Sequence, residues 1–496
     1  MEIIVNPSRE LWAALCRRAE SDDSVIEGRV RAILERVRTG GDAALVDITR
    51  EVEGRDVKIA GQAGNDEPGS TSPVMPGSPV MPGSPVMPGL TGHLNPFLVS
   101  PSEVAAAASQ VSDAVKRSIA AAAANIRAFH SAQKPAAVEV ETLPGVRCVR
   151  RSLPIERVGL YIPGGSAPLF STLLMLAIPA QIAGCREIVL CTPAGRDGKI
   201  APAVLYAASL CGIDTIYSLG GAQAIAAMAF GTETIAPVSK IFGPGNRYVT
   251  KAKQMVTAMG VAIDMPAGPS EVMVLADDTA DVRFVASDLL SQAEHGPDSQ
   301  AILVCRSEKF AADVAAEVAR QLALLPRRDI AQKALSNSRI VVFTSRGSKR
   351  SDTQQDMQSA TPSEGYEQFA QSPDSQEDVL HAQIAFANAY ASEHLIVSMR
   401  EPWKVAEQIT AAGSVFIGNY SPESAGDYAS GTNHTLPTMG LARAWSGIGL
   451  DSFMHSITYQ ELTREGLESL GDTITTMARA EGLDAHAAAV KYRLEK

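Results

Sequence analysis

The chain has 496 residues, of which 45% are hydrophobic and 20% charged, so it can bury a large core and divide into two or more domains. The net charge is -11 and the one dense basic cluster is residues 147–157, which argues against nucleic acid as a partner. No basic-then-apolar leader opens the chain and no apolar run is long enough to span a bilayer. We therefore expect a soluble, cytoplasmic protein with no membrane partner.

The six cysteines are scattered, without the close pairs of a zinc ribbon or a disulfide framework. This spacing favours a reducing compartment. Any bound metal would then be held by imidazole, carboxylate or amide groups.

Residues 1–60 are predicted to form an N-terminal helical arm, because apolar side chains recur at helical spacing over residues 24–52, with a break at Gly40 and Gly41. Residues 61–101 carry Ser-Pro-Val-Met-Pro-Gly three times in tandem, from Ser72, Ser78 and Ser84. Two prolines and a glycine in every six residues exclude helix and sheet, so we predict a disordered insert. A second polar tract, residues 346–378, is predicted to be a disordered surface loop.

The rest of the chain alternates between strand and helix patterns. Residues 102–265 predict a first α/β domain, with strands at 158–162, 187–191 and 215–219 and helices at 171–183 and 200–210. Residues 266–440 repeat the pattern, with strands at 271–276, 301–305 and 339–343 and helices at 280–295 and 308–324. We predict an α/β fold of two similar Rossmann-like parallel-sheet domains with a crevice between them, followed by a small C-terminal helical segment at 441–496.

A candidate metal site begins at Ser291-Gln-Ala-Glu-His-Gly, where Gln292 and His295 project from one face near a helix end. Taken alone, His295 is more typical of a helix cap. A second polar group, Gly426-Asp-Tyr-Ala-Ser-Gly-Thr-Asn-His434, follows the apolar strand at 414–417. Loops at the carboxyl ends of strands are where α/β proteins usually place their sites.

The adjacent Glu393 and His394 precede a β-branched run and could point into a cavity together. A carboxylate beside an imidazole suits proton transfer at neutral pH. A Glu-His pair considered singly is more often an ordinary solvated turn.

Six motifs together resemble the histidinol dehydrogenase family and occur in that family's order. They are Tyr161-Ile-Pro-Gly-Gly-Ser, Gly220-Gly-Ala-Gln, Phe242-Gly-Pro-Gly-Asn, Asp264-Met-Pro-Ala-Gly-Pro-Ser-Glu, Ser291-Gln-Ala-Glu-His-Gly-Pro-Asp and Ala391-Ser-Glu-His-Leu. The resemblance runs from about residue 24 to the C-terminal helix and excludes the two polar inserts, where typical members look shorter.

The resemblance implies one zinc ion per subunit, with ligands Gln292, His295, Asp427 and His486. It also implies that L-histidinol lies against Ser270, Gln292, His295, His394, Asp427, Glu481 and His486, with His434 lining the site. Family members are homodimers in which the C-terminal segment reaches the partner's site, so each site here is expected to need both chains.

NAD as the cofactor also rests on the resemblance, because no Gly-x-Gly-x-x-Gly follows a predicted strand. The family pattern places Tyr161, Gln223 and Asn246 against NAD. The glycines beside these residues allow close approach of the backbone to phosphate, although tight strand-to-helix turns would explain the glycines equally well.

The implied reaction is the last step of histidine biosynthesis, an oxidation of L-histidinol through L-histidinal to L-histidine that reduces two NAD. His394 is the candidate general base in both oxidations, and Glu393 is the candidate for activating the water that hydrates the aldehyde. A cysteine nucleophile, Cys148 or Cys185, is the competing mechanism. The alternatives are a related dehydrogenase acting on another alcohol and a non-catalytic metal-binding descendant.

Overall fold

The computed structural model of the protein describes residues 1–18, 24–55, 57, 95–164, 168–195, 197–345, 373 and 375–495. No helix in these ranges is both long and apolar enough to cross a membrane. The strands are β1 (Glu2–Val5), β2 (Val138–Leu143), β3 (Val146–Pro154), β4 (Arg157–Tyr161), β5 (Glu187–Cys191), β6 (Thr215–Tyr217), β7 (Lys240–Phe242), β8 (Ala262–Ile263), β9 (Glu271–Ala276), β10 (Gln300–Cys305), β11 (Arg339–Val342), β12 (His394–Ser398), β13 (Ser414–Ile417) and β14 (Met454–Leu462).

The helices complete the framework. They are α1 (Arg9–Leu15), α2 (Ser24–Glu53), α3 (Pro101–Gln110), α4 (Asp113–Ser131), α5 (Phe170–Ala183), α6 (Pro202–Leu210), α7 (Gly221–Phe230), α8 (Arg247–Thr257), α9 (Val282–Ala293), α10 (Glu308–Leu322), α11 (Arg328–Ser336), α12 (Gln376–Tyr390), α13 (Pro402–Ala406), α14 (Glu423–Tyr428), α15 (Arg464–Ala480) and α16 (Asp484–Leu494).

Two parallel sheets dominate the architecture, as the alternating pattern predicts. The first has the order β6-β5-β4-β7-β8, and the second has the order β1-β11-β10-β9-β12-β13. All the strand pairs of both sheets are parallel. The predicted fold class, α/β with two Rossmann-like sheets, is confirmed.

Helices cover both faces of each sheet. Along β9, Val272 and Val274 pack into one core cluster with residues of α9 and α10, whereas Met273 and Leu275 pack into another with residues of α12. The first sheet has two such clusters as well, one with α5 and α6 and one with α2, α7 and α8. Strands buried on both faces read as continuous apolar runs, which is why the central strands were predictable.

The N-terminal arm agrees with its prediction in one respect and differs in another. Residues 2–5 are strand β1, which pairs in parallel with β11 and so belongs to the second sheet. The helix predicted at residues 24–52 is present as α2, and it bends at Gly41, whose φ is 51°. The break predicted from Gly40 and Gly41 is therefore correct, but an all-helical arm is wrong.

Both predicted inserts lie mainly outside the described residues, including the three tandem repeats. Their described ends are ordered. Phe97 is buried, Leu98 bridges to Tyr217 and α3 begins at Pro101, so the prediction of disorder up to residue 101 is wrong for this end. At the second tract, Ser375 caps α12 through a capping box with Asp378, so the loop predicted to reach residue 378 gives way to helix earlier.

The C-terminal segment is not wholly helical. Strand β14 pairs antiparallel with β3, which also pairs with β2, and these three strands form a separate sheet that the sequence did not predict. Helices α15 and α16 follow β14 and pack against each other.

Candidate active site

The candidate catalytic residues lie at the amino edge of the second sheet. His394 is the first residue of β12 and pairs with Val272 of β9, and Glu393 precedes it. Helix α9 runs back from the carboxyl end of β9, so its C-terminal end returns Gln292 and His295 to this same edge. Gln292 and His295 thus lie at a helix end, and Glu393 and His394 lie directly before an apolar strand, as predicted.

Three side chains here could hold a metal ion: His295, Glu423 and Asp427 each offer a ligand atom, and these atoms lie within 4.8 Å of one another. His295 Nε2 is 4.0 Å from Asp427 Oδ2. The buried Gln292, with its amide nitrogen turned toward Glu423, donates to that carboxylate, and its oxygen accepts from the Glu271 N–H at 2.6 Å. Three of the four predicted zinc ligands are thus together.

Glu423 is a candidate site residue that the sequence did not predict. It is 1% exposed and begins α14, one turn before Asp427. Its spacing from Asp427 could have identified it, because residues four apart on a helix lie on one face. Burial, with the nearby carboxylates of Asp427 and Glu393, raises the pKa of Glu423 well above its usual range.

The Glu393–His394 pair is buried at the same edge, which departs from the solvated turn that such a dipeptide usually forms. His394 Nε2 lies 3.7 Å from Glu393 Oε1 and 3.9 Å from Glu423 Oε1. Glu393 Oε2 accepts from the Glu271 N–H at 2.8 Å, which leaves Oε1 toward His394. Burial raises the pKa of Glu393 and lowers that of His394 to about 3, so the imidazole is neutral at physiological pH.

His434 joins the two domains. Its Nδ1 lies 2.9 Å from the Asp427 carbonyl oxygen, and its Nε2 lies 2.9 Å from Thr172 Oγ1 of α5. If Nδ1–H donates to the carbonyl, Nε2 accepts from the Thr172 hydroxyl. Helix α5 follows β4, so this bond sets the carboxyl edge of the first sheet against the amino edge of the second.

The remaining predicted substrate residues divide into two groups. Ser270 directly precedes Glu271, and its carbonyl accepts from the Gln300 N–H at 3.1 Å, so it lies at the site. Glu481 and His486 are exposed on the α15–α16 hairpin. Within the described part of this single chain, no hydrogen bond or ion pair joins either of them to the other site residues.

The predicted cofactor residues lie along the carboxyl edge of the first sheet. The Tyr161 hydroxyl accepts from the Gly221 N–H at 3.1 Å, and Gln223 Nε2 donates to Glu53 Oε1 at 3.2 Å. Gln223 Oε1 is buried and has no partner among the described residues. Asn246 Oδ1 caps α8 by accepting from the N–H groups of Tyr248 and Val249, so its amide already has a structural role.

Gly243 lies at this edge, where its backbone closely approaches that of Tyr161. Gly243 has φ of 118°, and a Cβ there would lie 2.0 Å from the Tyr161 carbonyl oxygen. A side chain at this position is therefore excluded by contact as well as by conformation.

The cysteines of the competing mechanism lie elsewhere. Cys185 precedes β5, at the edge of the first sheet opposite Tyr161, and burial raises its pKa to about 11. Cys148 is on β3 of the antiparallel sheet. Neither cysteine is on an element that carries the Glu393–His394 pair, and the raised pKa of Cys185 keeps its thiol protonated and therefore a poor nucleophile.

Two Rossmann-like parallel sheets that meet at a group of imidazoles and carboxylates, three of which could hold a metal ion, define the class of a two-domain α/β enzyme. The family model of histidinol dehydrogenase matches residues 89–358 and 367–494. The chain therefore belongs to the histidinol dehydrogenase family, which confirms the predicted family and its class, an NAD-dependent oxidoreductase of histidine biosynthesis.

Individual relatives agree along the whole chain. A histidinol dehydrogenase of Bacteroides thetaiotaomicron is 47% identical and covers 100% of this chain and 99% of its own length. One of Vibrio cholerae is 45% identical, covering 97% and 94%. The crystal structure of histidinol dehydrogenase from Elizabethkingia anophelis is similar with a TM-score of 0.82 and 44% identity, covering 100% of this chain and 98% of that one.

Proposed function

We propose that this protein oxidises L-histidinol through L-histidinal to L-histidine, with two NAD reduced and one water consumed. The observation that carries the proposal is the buried Glu393–His394 pair, 3.7 Å apart, beside the His295 and Asp427 side chains. This combination places three groups at one edge of one sheet: a proton acceptor, a carboxylate that can activate water, and side chains that can bind a metal ion. The six free cysteines fit a reducing cytoplasm, where we expect the reaction to take place.

The donor set fits zinc. Imidazole, carboxylate and amide oxygen are accepted zinc ligands, and a site without thiolates suits a catalytic role with open positions. Burial raises the pKa of Asp427 to about 7. Within the described residues no lysine or arginine pairs with Asp427 or Glu423, so a bound cation would supply the missing positive charge.

His295 and Asp427 of one chain would hold the zinc together with the Gln292 amide oxygen, with the amide turned from the orientation in which its nitrogen donates to Glu423, and His486 would be supplied by a second copy. When bound, zinc supplies a template that fixes the substrate's nitrogen atoms. The exposure of Glu481 and His486, away from their own chain's site, supports a homodimer with shared sites.

The first oxidation moves the hydroxyl proton of L-histidinol to a base and a hydride from carbon to NAD. His394 suits the proton, because its imidazole is neutral and its Nε2 lies 3.7 and 3.9 Å from the carboxyl groups of Glu393 and Glu423, which can stabilise the imidazolium that forms. The second oxidation needs the hydrated aldehyde. Glu393 is fixed through Oε2, so Oε1 can accept a proton from the attacking water and return it to the former aldehyde oxygen, which completes the hydrate.

NAD would lie along the carboxyl edge of the first sheet, against Tyr161, Gln223 and Asn246. The unpartnered, buried Gln223 Oε1 supports this, because such an atom needs a donor from a ligand or water. The Thr172–His434 bond keeps this edge close to the substrate residues.

The test is the number of NADH formed per L-histidinol consumed, before and after chelation of zinc. We expect two NADH, with activity lost on chelation and restored by added zinc. A value of one would indicate a simple alcohol dehydrogenase. No turnover with zinc present would overturn the proposal in favour of another substrate or a non-catalytic role.

Asp427→Asn allows a second test, on zinc binding. The Asp427 carboxylate is a proposed zinc ligand, and the asparagine amide has nearly the same shape as the carboxylate but no charge. We expect zinc affinity to fall by about 100-fold or more, measured as zinc retained against a competing chelator. Asp298→Asn, at an exposed position three residues after His295, is the matched control and should retain zinc. Equal zinc retention by the two variants would count against the proposed ligand set.

A further inference from the structure

A buried ion pair stands directly behind the candidate active site. Arg18 Nε and Nη2 donate to Glu271 Oε1 and Oε2 at 2.9 and 2.7 Å, and the two side chains are 9% and 1% exposed. The Arg18 guanidinium also stacks on the Tyr390 ring, 3.7 Å from its centroid, and donates to the Tyr390 carbonyl at 2.8 Å. Arg18 is therefore held in a fixed position by the two-point contact with the Glu271 carboxylate, the Tyr390 ring and the Tyr390 carbonyl.

Glu271 connects this pair to the site through its backbone. Its side chain accepts from Arg18 and from the Met439 N–H at 2.7 Å, while its own N–H donates to Glu393 Oε2 at 2.8 Å. The same N–H faces the Gln292 amide oxygen at 2.6 Å. One residue thus links the N-terminal segment to both a candidate catalytic carboxylate and a candidate metal ligand.

Glu271 is also the first residue of β9, directly after Ser270. The direction of its N–H depends on how this strand begins. The two-point contact with Arg18 fixes the Glu271 carboxylate, and the Met439 N–H fixes it from a third direction. A buried ion pair is weak as a source of stability, since apolar residues of similar volume often replace it without loss. Its geometry, rather than its energy, is the more informative feature here.

We propose that Arg18 is a positioning residue: through Glu271 it fixes the backbone N–H that holds the Glu393 carboxylate toward its water. This inference rests on the proposed function, because it gives Glu393 a role in the second oxidation. It predicts that losing Arg18 slows the aldehyde step more than it weakens substrate binding.

The test compares Arg18→Met, Arg18→Lys and Arg17→Met, all assayed at saturating zinc. Arg17 is exposed and adjacent, so its variant is the matched control for charge. We expect Arg18→Met to lower kcat for L-histidinal oxidation by about tenfold or more, with KM nearly unchanged, because a small misplacement of a catalytic group is costly. Arg18→Lys keeps the positive charge but loses the two-point contact with Glu271. We expect this variant to fold and to have a kcat between those of the parent and Arg18→Met.

Hydrogen exchange at the Glu271 amide supplies a readout that does not need activity. Arg18→Met should speed this exchange by about tenfold relative to Arg17→Met, because the N–H would no longer be held on Glu393. Should Arg18→Met fail to fold, the comparison uses Arg18→Lys. Equal kcat and equal exchange in the Arg18 and Arg17 variants, with only the melting temperature lowered, would show a purely structural role and overturn the inference. A wild-type protein that does not oxidise L-histidinol would overturn the proposed function instead, while the exchange still tests the geometry.

Discussion

The carboxyl edge of the first sheet and the amino edge of the second sheet face each other but differ in chemistry. At the first edge, the Tyr161 hydroxyl and the Asn246 amide make neutral hydrogen bonds to backbone N–H groups. At the second edge, Glu393, Glu423 and Asp427 are buried carboxylates with raised pKa values. The first edge also holds a buried ion pair, Lys253–Asp264, so its charges are paired, whereas among the described residues no lysine or arginine pairs with Glu423 or Asp427 at the second edge.

This difference teaches how a two-domain enzyme can divide its work. Binding a cofactor needs glycine turns that leave room for it and hydrogen-bonding groups in fixed positions. Burying such neutral groups costs little free energy when they are hydrogen-bonded. Acid–base chemistry and metal binding need ionisable groups out of water, and these are costly to bury without a cation or a proton. The Thr172–His434 bond joins the two edges with neutral groups, because burial lowers the pKa of His434 to about 4.

The largest effect is expected at the second edge. His394→Asn removes the neutral imidazole that accepts the hydroxyl proton, while keeping a polar side chain of similar reach. We expect kcat for L-histidinol oxidation to fall by about 10³-fold, the usual scale for a general base. The measurement is NADH formation at saturating substrate and zinc. His381→Asn, on the exposed side of α12, is the control, and a loss below about fivefold in His394→Asn would mean that another group accepts the proton.

A second prediction concerns the cost of buried charge. Asp288 is 9% exposed on α9, one turn before Gln292, and burial raises its pKa to about 7 from an ordinary 3.8. The folded state therefore binds the proton more tightly than the unfolded state, so stability falls as pH rises from about 4 to about 7.

Asp288→Asn should remove the contribution of Asp288 to this pH dependence, while those of Asp427, Glu393 and Glu423 remain. In zinc-free protein we expect the variant to be more stable than the parent at pH 8, by on the order of 2 to 4 kcal/mol, and about equally stable at pH 4. Denaturant unfolding at both pH values measures the difference. Asp298→Asn, exposed near the same helix end, should change neither value. A gain of the same size at both pH values would rule out the Asp288 carboxyl as the cause.

Local patterns predicted the buried strands better than the edge and exposed strands. Strands β5 and β9 were predicted to the residue, because apolar runs bounded by turns mark buried strands. Strand β1 was missed because it is a short edge strand whose partner lies more than 330 residues away. Strand β2 was missed because all six of its residues are exposed and give no apolar alternation.

The site shows the same limit. Gln292 and His295 could be found because their spacing lies within one helix turn. Glu423 could have been found in the same way from Asp427. The Arg18–Glu271 pair could not, because 253 residues separate its members and no local pattern links them. The domain boundaries at 102–265 and 266–440 and the zinc and NAD residues implied by the family stay predictions.

The smallest effect is expected at the first edge, where Gln223 is 1% exposed and its Oε1 lacks a partner among the described residues. Gln223→Leu keeps the volume and removes the amide, so a polar group of NAD would lose its partner. We expect KM for NAD to rise by about tenfold, the scale of one or two hydrogen bonds, with KM for L-histidinol unchanged. Gln383→Leu, also buried and polar but on α12 of the second domain, controls for the loss of a buried amide. If both variants raised KM for NAD equally, Gln223 would have no specific contact with the cofactor. A change in KM for L-histidinol alone would show that the two edges do not divide binding and chemistry as proposed.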